Sequence, residues 1–62
     1  MMKYTTSYGT VIPANVMRRV ADRLKAGEDW QLVGEEELRD IIPQHDDDLS
    51  ELNEVITVAE EC

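Results

Sequence analysis

The residues able to do chemistry in this chain are few. It has one histidine, His45, and one cysteine, Cys62. His45 stands directly before Asp46, Asp47 and Asp48, a grouping that invites comparison with metal loops. A calcium-binding EF-hand loop needs acids at alternating positions, a glycine at the sixth and a glutamate at the twelfth. Counting from Asp46, the third position is Asp48, but Ser50 and Leu52 follow and no glycine is present. A zinc site needs three or four His, Cys or carboxylate ligands, and the histidine and cysteine here are too few. The three glycines, Gly9, Gly27 and Gly34, are isolated, so no phosphate-cradling loop is written into the chain. Paired carboxylates act as acid and base only in a partly buried cleft, for which so short a chain has little room. The expectation is a protein that binds rather than catalyses, with no metal and no cofactor.

Charge is distributed unevenly. Residues 28–62 hold thirteen acids and a single base, Arg39, while residues 1–27 hold the other five bases and one acid, Asp22; the whole carries −8. An acidic chain is repelled by nucleic acid and by anionic membrane. Direct nucleic-acid and membrane contacts are therefore not expected, and the natural partner is a basic protein surface. With one cysteine, no internal disulfide can form. The first residues lack the apolar run of a signal peptide, and no stretch approaches the roughly 18 apolar residues of a membrane span. These features point to a cytoplasmic protein. Sixty-two residues make one small domain, residues 1–62, at a size where a second copy of the chain often adds stability; a homodimer would serve that end.

The elements that must position the acids follow from periodicity. Residues 4–8 (Tyr-Thr-Thr-Ser-Tyr) suit an extended segment ended by Gly9, with Tyr4 and Tyr8 on one side. Pro13 marks a helix start. Val16, Met17, Val20 and Leu24 form one helical face, and Gly27 provides a left-handed cap, giving a first helix over 13–26. Its remaining faces carry Arg18, Arg19, Arg23 and Lys25, and the last two complement the helix dipole. A basic helix of this kind resembles a DNA-recognition helix, but the acidic half argues against phosphate binding. Residues 30–33 (Trp-Gln-Leu-Val) read as a short strand that can pair with residues 4–8, with Trp30 at the core edge. Gly34 and Glu35-Glu36-Glu37 open a second helix, acids favouring its positive end. Leu38, Ile41 and Ile42 line its apolar side, and Pro43 ends it. Residues 44–48 form a polar linker. Asp48 and Glu51 then make a variant capping box for a third helix over 49–60, with Leu49, Leu52, Val55, Ile56 and Ala59 on one face. The β-branched run of residues 55–58 is the competing strand signal, and helix is the preferred reading. The predicted fold is mainly α: a small three-helix domain with a short N-terminal extended segment free to pair with residues 30–33, a small α+β domain being the alternative.

Some acids have a local task in this scheme. Glu35, Glu36, Glu37 and Asp48 start helices, whereas Asp40, Asp46, Asp47, Glu51, Glu54 and Glu61 have none. With Asp48 and Glu36, which is spaced i, i+4 from Asp40, they form the candidate partner-binding set. Acids three or four positions apart sit about 5–6 Å apart on a helix, giving rows of charge that coarsely imitate a nucleic-acid backbone. In length, acidity, single-domain build and the runs Glu35-Glu36-Glu37 and Asp46-Asp47-Asp48, the chain resembles small acidic phage anti-defence proteins of the anti-CRISPR, nucleic-acid-mimic kind. The resemblance implies an inhibitor that occupies the nucleic-acid site of a host protein or CRISPR effector complex, in the host bacterial cytoplasm. A second class of function is a small regulatory adaptor that binds one protein through Tyr4, Tyr8 and Trp30.

Overall fold

A computed structural model describes residues 2–42 and 49–61. Two short strands and three helices follow one another along the chain: β1 (Tyr4–Thr5), β2 (Val11–Ile12), α1 (Ala14–Lys25), α2 (Trp30–Leu38) and α3 (Ser50–Glu60). The protein is mainly helical, with a small antiparallel sheet at its N-terminal end.

The extended segment does not pair with residues 30–33. It folds back on the residues just after it, with Tyr4 opposite Ile12 and Thr5 opposite Val11. Gly9 makes this local hairpin possible: it adopts φ +88 in the connecting loop, a conformation costly for residues with a Cβ. Strand alternation then puts Ile12 fully inside and Tyr4 against the core, while Thr5 and Val11 face outward. Tyr8 lies in the loop and is exposed, so the two tyrosines do not share a strand face.

Residues 30–33 belong to α2. Asp29 caps that helix, its carboxylate accepting from the Gln31 amide at 2.8 Å, and the Val33 amide donates to the Asp29 carbonyl at 2.9 Å. The helix therefore begins four residues before Gly34, and Glu35 to Glu37 fall in its second half rather than its first turn. Trp30, Val33, Gly34, Glu37 and Leu38 share its covered side, which is the helical rather than the alternating spacing. Leu32 stands exposed on the other side.

Helix α1 follows Pro13, whose carbonyl accepts from the Val16 and Met17 amides. It ends in a Schellman arrangement: Gly27 takes φ +89, its amide reaches the Leu24 carbonyl, and the Glu28 amide reaches the Arg23 carbonyl. The apolar contact that usually accompanies this motif is replaced by an ion pair between the same two residues, Arg23 and Glu28. Helix α3 starts after Leu49, which makes no side-chain cap bond. The proposed cap Asp48, the linker 44–48 and Pro43 lie outside the described residues. The β-branched run of residues 55–58 is helical.

The core is assembled from Ile12, from Val16, Met17, Val20 and Ala21 of α1, from Val33, Leu38 and Ile42 in and after α2, and from Leu52, Val55, Ile56 and Ala59 of α3. Helix α2 packs tightly on α3 at Gly34: a Cβ built there would lie 2.5 Å from one Leu52 methyl and 3.1 Å from its Cγ. Leu52 is itself buried, so neither side chain has room to yield. Gly34→Leu is expected to destabilise the fold by about 2–3 kcal/mol through overpacking, read as a lower urea midpoint. Gly34→Ala should fall between the two, since improved helix propensity (about 1 kcal/mol) offsets part of the clash.

Candidate functional site

Two polar clusters organise the acids, one on each side of the domain. The first ties the hairpin loop to α3. Thr6 is buried, and its hydroxyl donates to the Glu51 carboxylate at 2.7 Å. The same oxygen accepts from the Tyr8 and Thr10 amides at 3.2 and 3.1 Å. A hydroxyl has one proton to give and two lone pairs, and all three are used here. Next to it, Glu54 collects three donors: the Ser7 amide at 2.8 Å, the Ser7 hydroxyl at 2.6 Å and the Tyr4 phenol.

The second cluster joins α1 to α2. Arg23 donates through Nε (2.9 Å) and Nη2 (2.7 Å) to one oxygen of Glu28, through Nη2 to Glu36, and through Nη1 to Glu37 at 3.2 Å. Arg19, one turn earlier, gives its Nε to the other oxygen of Glu37 at 2.9 Å. Two of the bases on α1 are thus directed at acids of the same molecule. The Glu28 and Glu36 contacts keep the Arg23 guanidinium protonated well above its ordinary range, and Arg19, with help from Arg23, holds Glu37 below the usual carboxylate value.

These clusters redistribute the acids singled out in the sequence. Glu51 is buried beneath the hairpin and Glu54 is half-buried with its carboxylate occupied. Both therefore have an internal task, and α3 offers no row of acids to solvent; Ser50, Asn53 and Thr57 occupy much of its exposed side. Glu36 is exposed yet engaged by Arg23. Asp40 in the turn after α2 and Glu61 after α3 are exposed. Asp46, Asp47 and Asp48 lie outside the described residues. Among the described residues, Asp22, Glu35, Asp40, Glu60 and Glu61 are exposed carboxylates with no side-chain hydrogen bond or ion pair. The exposed bases Lys3, Arg18, Lys25 and Arg39 likewise have none there. Sequence reasoning missed Thr6 and Ser7 as partners for acids 45 and 47 positions away. Only the density of hydroxyls at residues 4–7 hinted at it.

The residues predicted for an adaptor surface do not form one exposed patch. The Tyr4 phenol is held by Glu54, and Tyr4 and Trp30 both pack against the core. Among the described residues no set of three or more His, Cys, Asp and Glu side chains is placed to hold a metal ion, and no helix is long and apolar enough to cross a membrane.

The Ser7 hydroxyl, followed by the Tyr4 hydroxyl and the Ser7 amide, holds the Glu54 carboxyl below its ordinary value of 4.5. A carboxyl whose folded pKa is lowered adds stability that is fully present above the unfolded value and is lost as pH falls through the folded one. Attachment of the hairpin to α3 is therefore expected to weaken below pH 4.5. The urea midpoint of the native chain should fall more between about pH 6 and about pH 3 than that of Glu54→Gln, which cannot titrate; equal falls would show that the bonds to this carboxylate add nothing. Thr6→Val, which removes the donor to buried Glu51, should cost about 1–3 kcal/mol at neutral pH, read in the same denaturation experiment.

Compared with known proteins, the chain matches no family model, no curated protein and no solved structure.

Proposed function

We propose that this protein is a small acidic inhibitor that binds a basic, nucleic-acid-binding surface of a host protein or CRISPR effector complex and so blocks DNA binding. The observation that supports this reading is the set of exposed carboxylates left over once internal pairing is satisfied. Glu35 and Asp40 stand on and just after α2 with no internal partner among the described residues, and Glu60 and Glu61 do so at the end of α3. A formal charge of −8 on 62 residues attracts a basic surface over roughly a Debye length, about 8–10 Å at physiological salt. Exposed carboxylates also offer arginines a geometry they take in bidentate fashion. The reading does not use Glu51 or Glu54, and it keeps the Asp46, Asp47 and Asp48 run as a further acidic contact.

Of the four bases on the first helix, Arg19 and Arg23 are taken up by acids of the same molecule, while Arg18 and Lys25 stay exposed. Arg19 and Arg23 fix the direction of α2, leaving Glu35 and Asp40 on its outer side. Such an inhibitor acts in the host bacterial cytoplasm.

The test is a pull-down from a bacterial lysate with the purified chain. Recovery of a nucleic-acid-binding complex that added DNA displaces is the expected result; recovery only of proteins without nucleic-acid function would sink the proposal. For the recovered partner, Glu35→Lys with Asp40→Lys should weaken binding about tenfold or more and flatten its salt dependence. Reversal of Asp46, Asp47 and Asp48 to lysine should act in the same direction, while the folded content by circular dichroism stays unchanged.

A further inference from the structure

The last turn of α1, the start of α2 and the end of α3 leave a groove of about 610 Å³ between them. That volume lies within the roughly 300–1,000 Å³ span of ligand sites in proteins. Leu24 and Lys25 of α1, Glu28 and Asp29 of the connection, Trp30 of α2 and Glu60 of α3 line it. Trp30 is the single tryptophan of the chain and is half-buried, so it presents part of its surface while the core holds the rest. Around it stand three carboxylates and one ammonium. Glu28 is oriented by Arg23 and Asp29 by the Gln31 amide; Glu60 has no side-chain partner among the described residues.

We propose that this groove receives an arginine side chain from the basic partner, its guanidinium against Trp30 and facing the carboxylates of Glu60, Glu28 and Asp29. The inference rests on the acidic-inhibitor reading and gives it a specific anchor. Tryptophan is the aromatic side chain that attracts cations most strongly, and the attraction strengthens where the contact is partly desolvated. Even with Glu28 paired to Arg23, Asp29 and Glu60 outnumber the Lys25 ammonium in the lining, which favours a cation over an anion. Arginine fits better than lysine because its planar guanidinium stacks on an indole while still donating in plane to a carboxylate. The groove is separate from Glu35 and Asp40, so it adds a directional contact to an otherwise diffuse charge attraction.

The single tryptophan makes the test direct. The full chain is titrated with a short labelled arginine-rich peptide and with the same peptide carrying citrulline, which keeps the shape and loses the charge. Peptide anisotropy reads binding, and Trp30 fluorescence reads the groove. The expected result is saturable binding of the arginine peptide with a matching change in Trp30 emission and no response to the citrulline peptide. Glu60→Lys, at an exposed position outside the core, should weaken binding about 3- to 10-fold with an unchanged circular dichroism spectrum. Binding of the arginine peptide with no change at Trp30, or with equal affinity for Glu60→Lys, would overturn the groove assignment and leave the acidic reading standing. Absence of binding by either peptide would overturn both.

Discussion

The hydroxyl of Thr6 and the carboxylate of Glu51 are the contact on which the N-terminal part of the structure depends. A two-stranded sheet with strands of two residues each has almost no stability of its own. It persists because its loop is pinned from within by Thr6 and from without by Glu51 and Glu54. Through that anchorage Ile12 is pressed into the core and Tyr4 is laid over its edge. A carboxylate as covered as Glu51 is costly unless its lone pairs are used, so the acid and the threonine require one another. With a dozen buried apolar side chains among the described residues, a polar tie of this kind replaces hydrophobic area that so short a sequence does not have.

The other side of the domain is set by shape and by charge. Gly34 lets α2 lie against Leu52, fixing how near the helices come. Arg19 and Arg23 grip Glu36, Glu37 and Glu28, which fixes how α2 is turned. Exposed ion pairs taken singly contribute little. Here one guanidinium serves three carboxylates, and one of them, Glu28, belongs to the turn that ends α1. The same arginine therefore links helix termination to helix packing.

Much of this was legible in the residue order. The spacing of Val16, Met17, Val20 and Leu24, with Pro13 before and Gly27 after, determined α1 almost to the residue, and the face of Leu52, Val55, Ile56 and Ala59 did the same for α3. The start of α2 was not legible as written, because four residues of Trp-Gln-Leu-Val are too few to separate a period of two from one of 3.6. The Asp29 cap decided between them. The hairpin went unseen because its turn signal is one glycine in a five-residue loop. Glu51 and Glu54 were misjudged for a different reason: whether a glutamate faces water or a hydroxyl 45 or more positions away is a fact of tertiary packing, and charge counts carry no information about it. The sequence shows how many carboxylates there are; only the fold shows which are already occupied.

The bonds from the hairpin loop to α3 join residues 45 to 50 positions apart. Closing a loop of that length has a large entropic cost that grows only slowly with further length, and it is recovered only when several contacts form together. Thr6, Ser7 and Tyr4 all converge on two neighbouring carboxylates of one helix, so their bonds have a common fate. The hairpin is thus expected to open as one cooperative unit, a small foldon, while α1 and α2, joined by a short local connection, stay together. In native-state hydrogen exchange, the Thr6 and Thr10 amides would then open jointly and at lower free energy than the amides in the middle of α1.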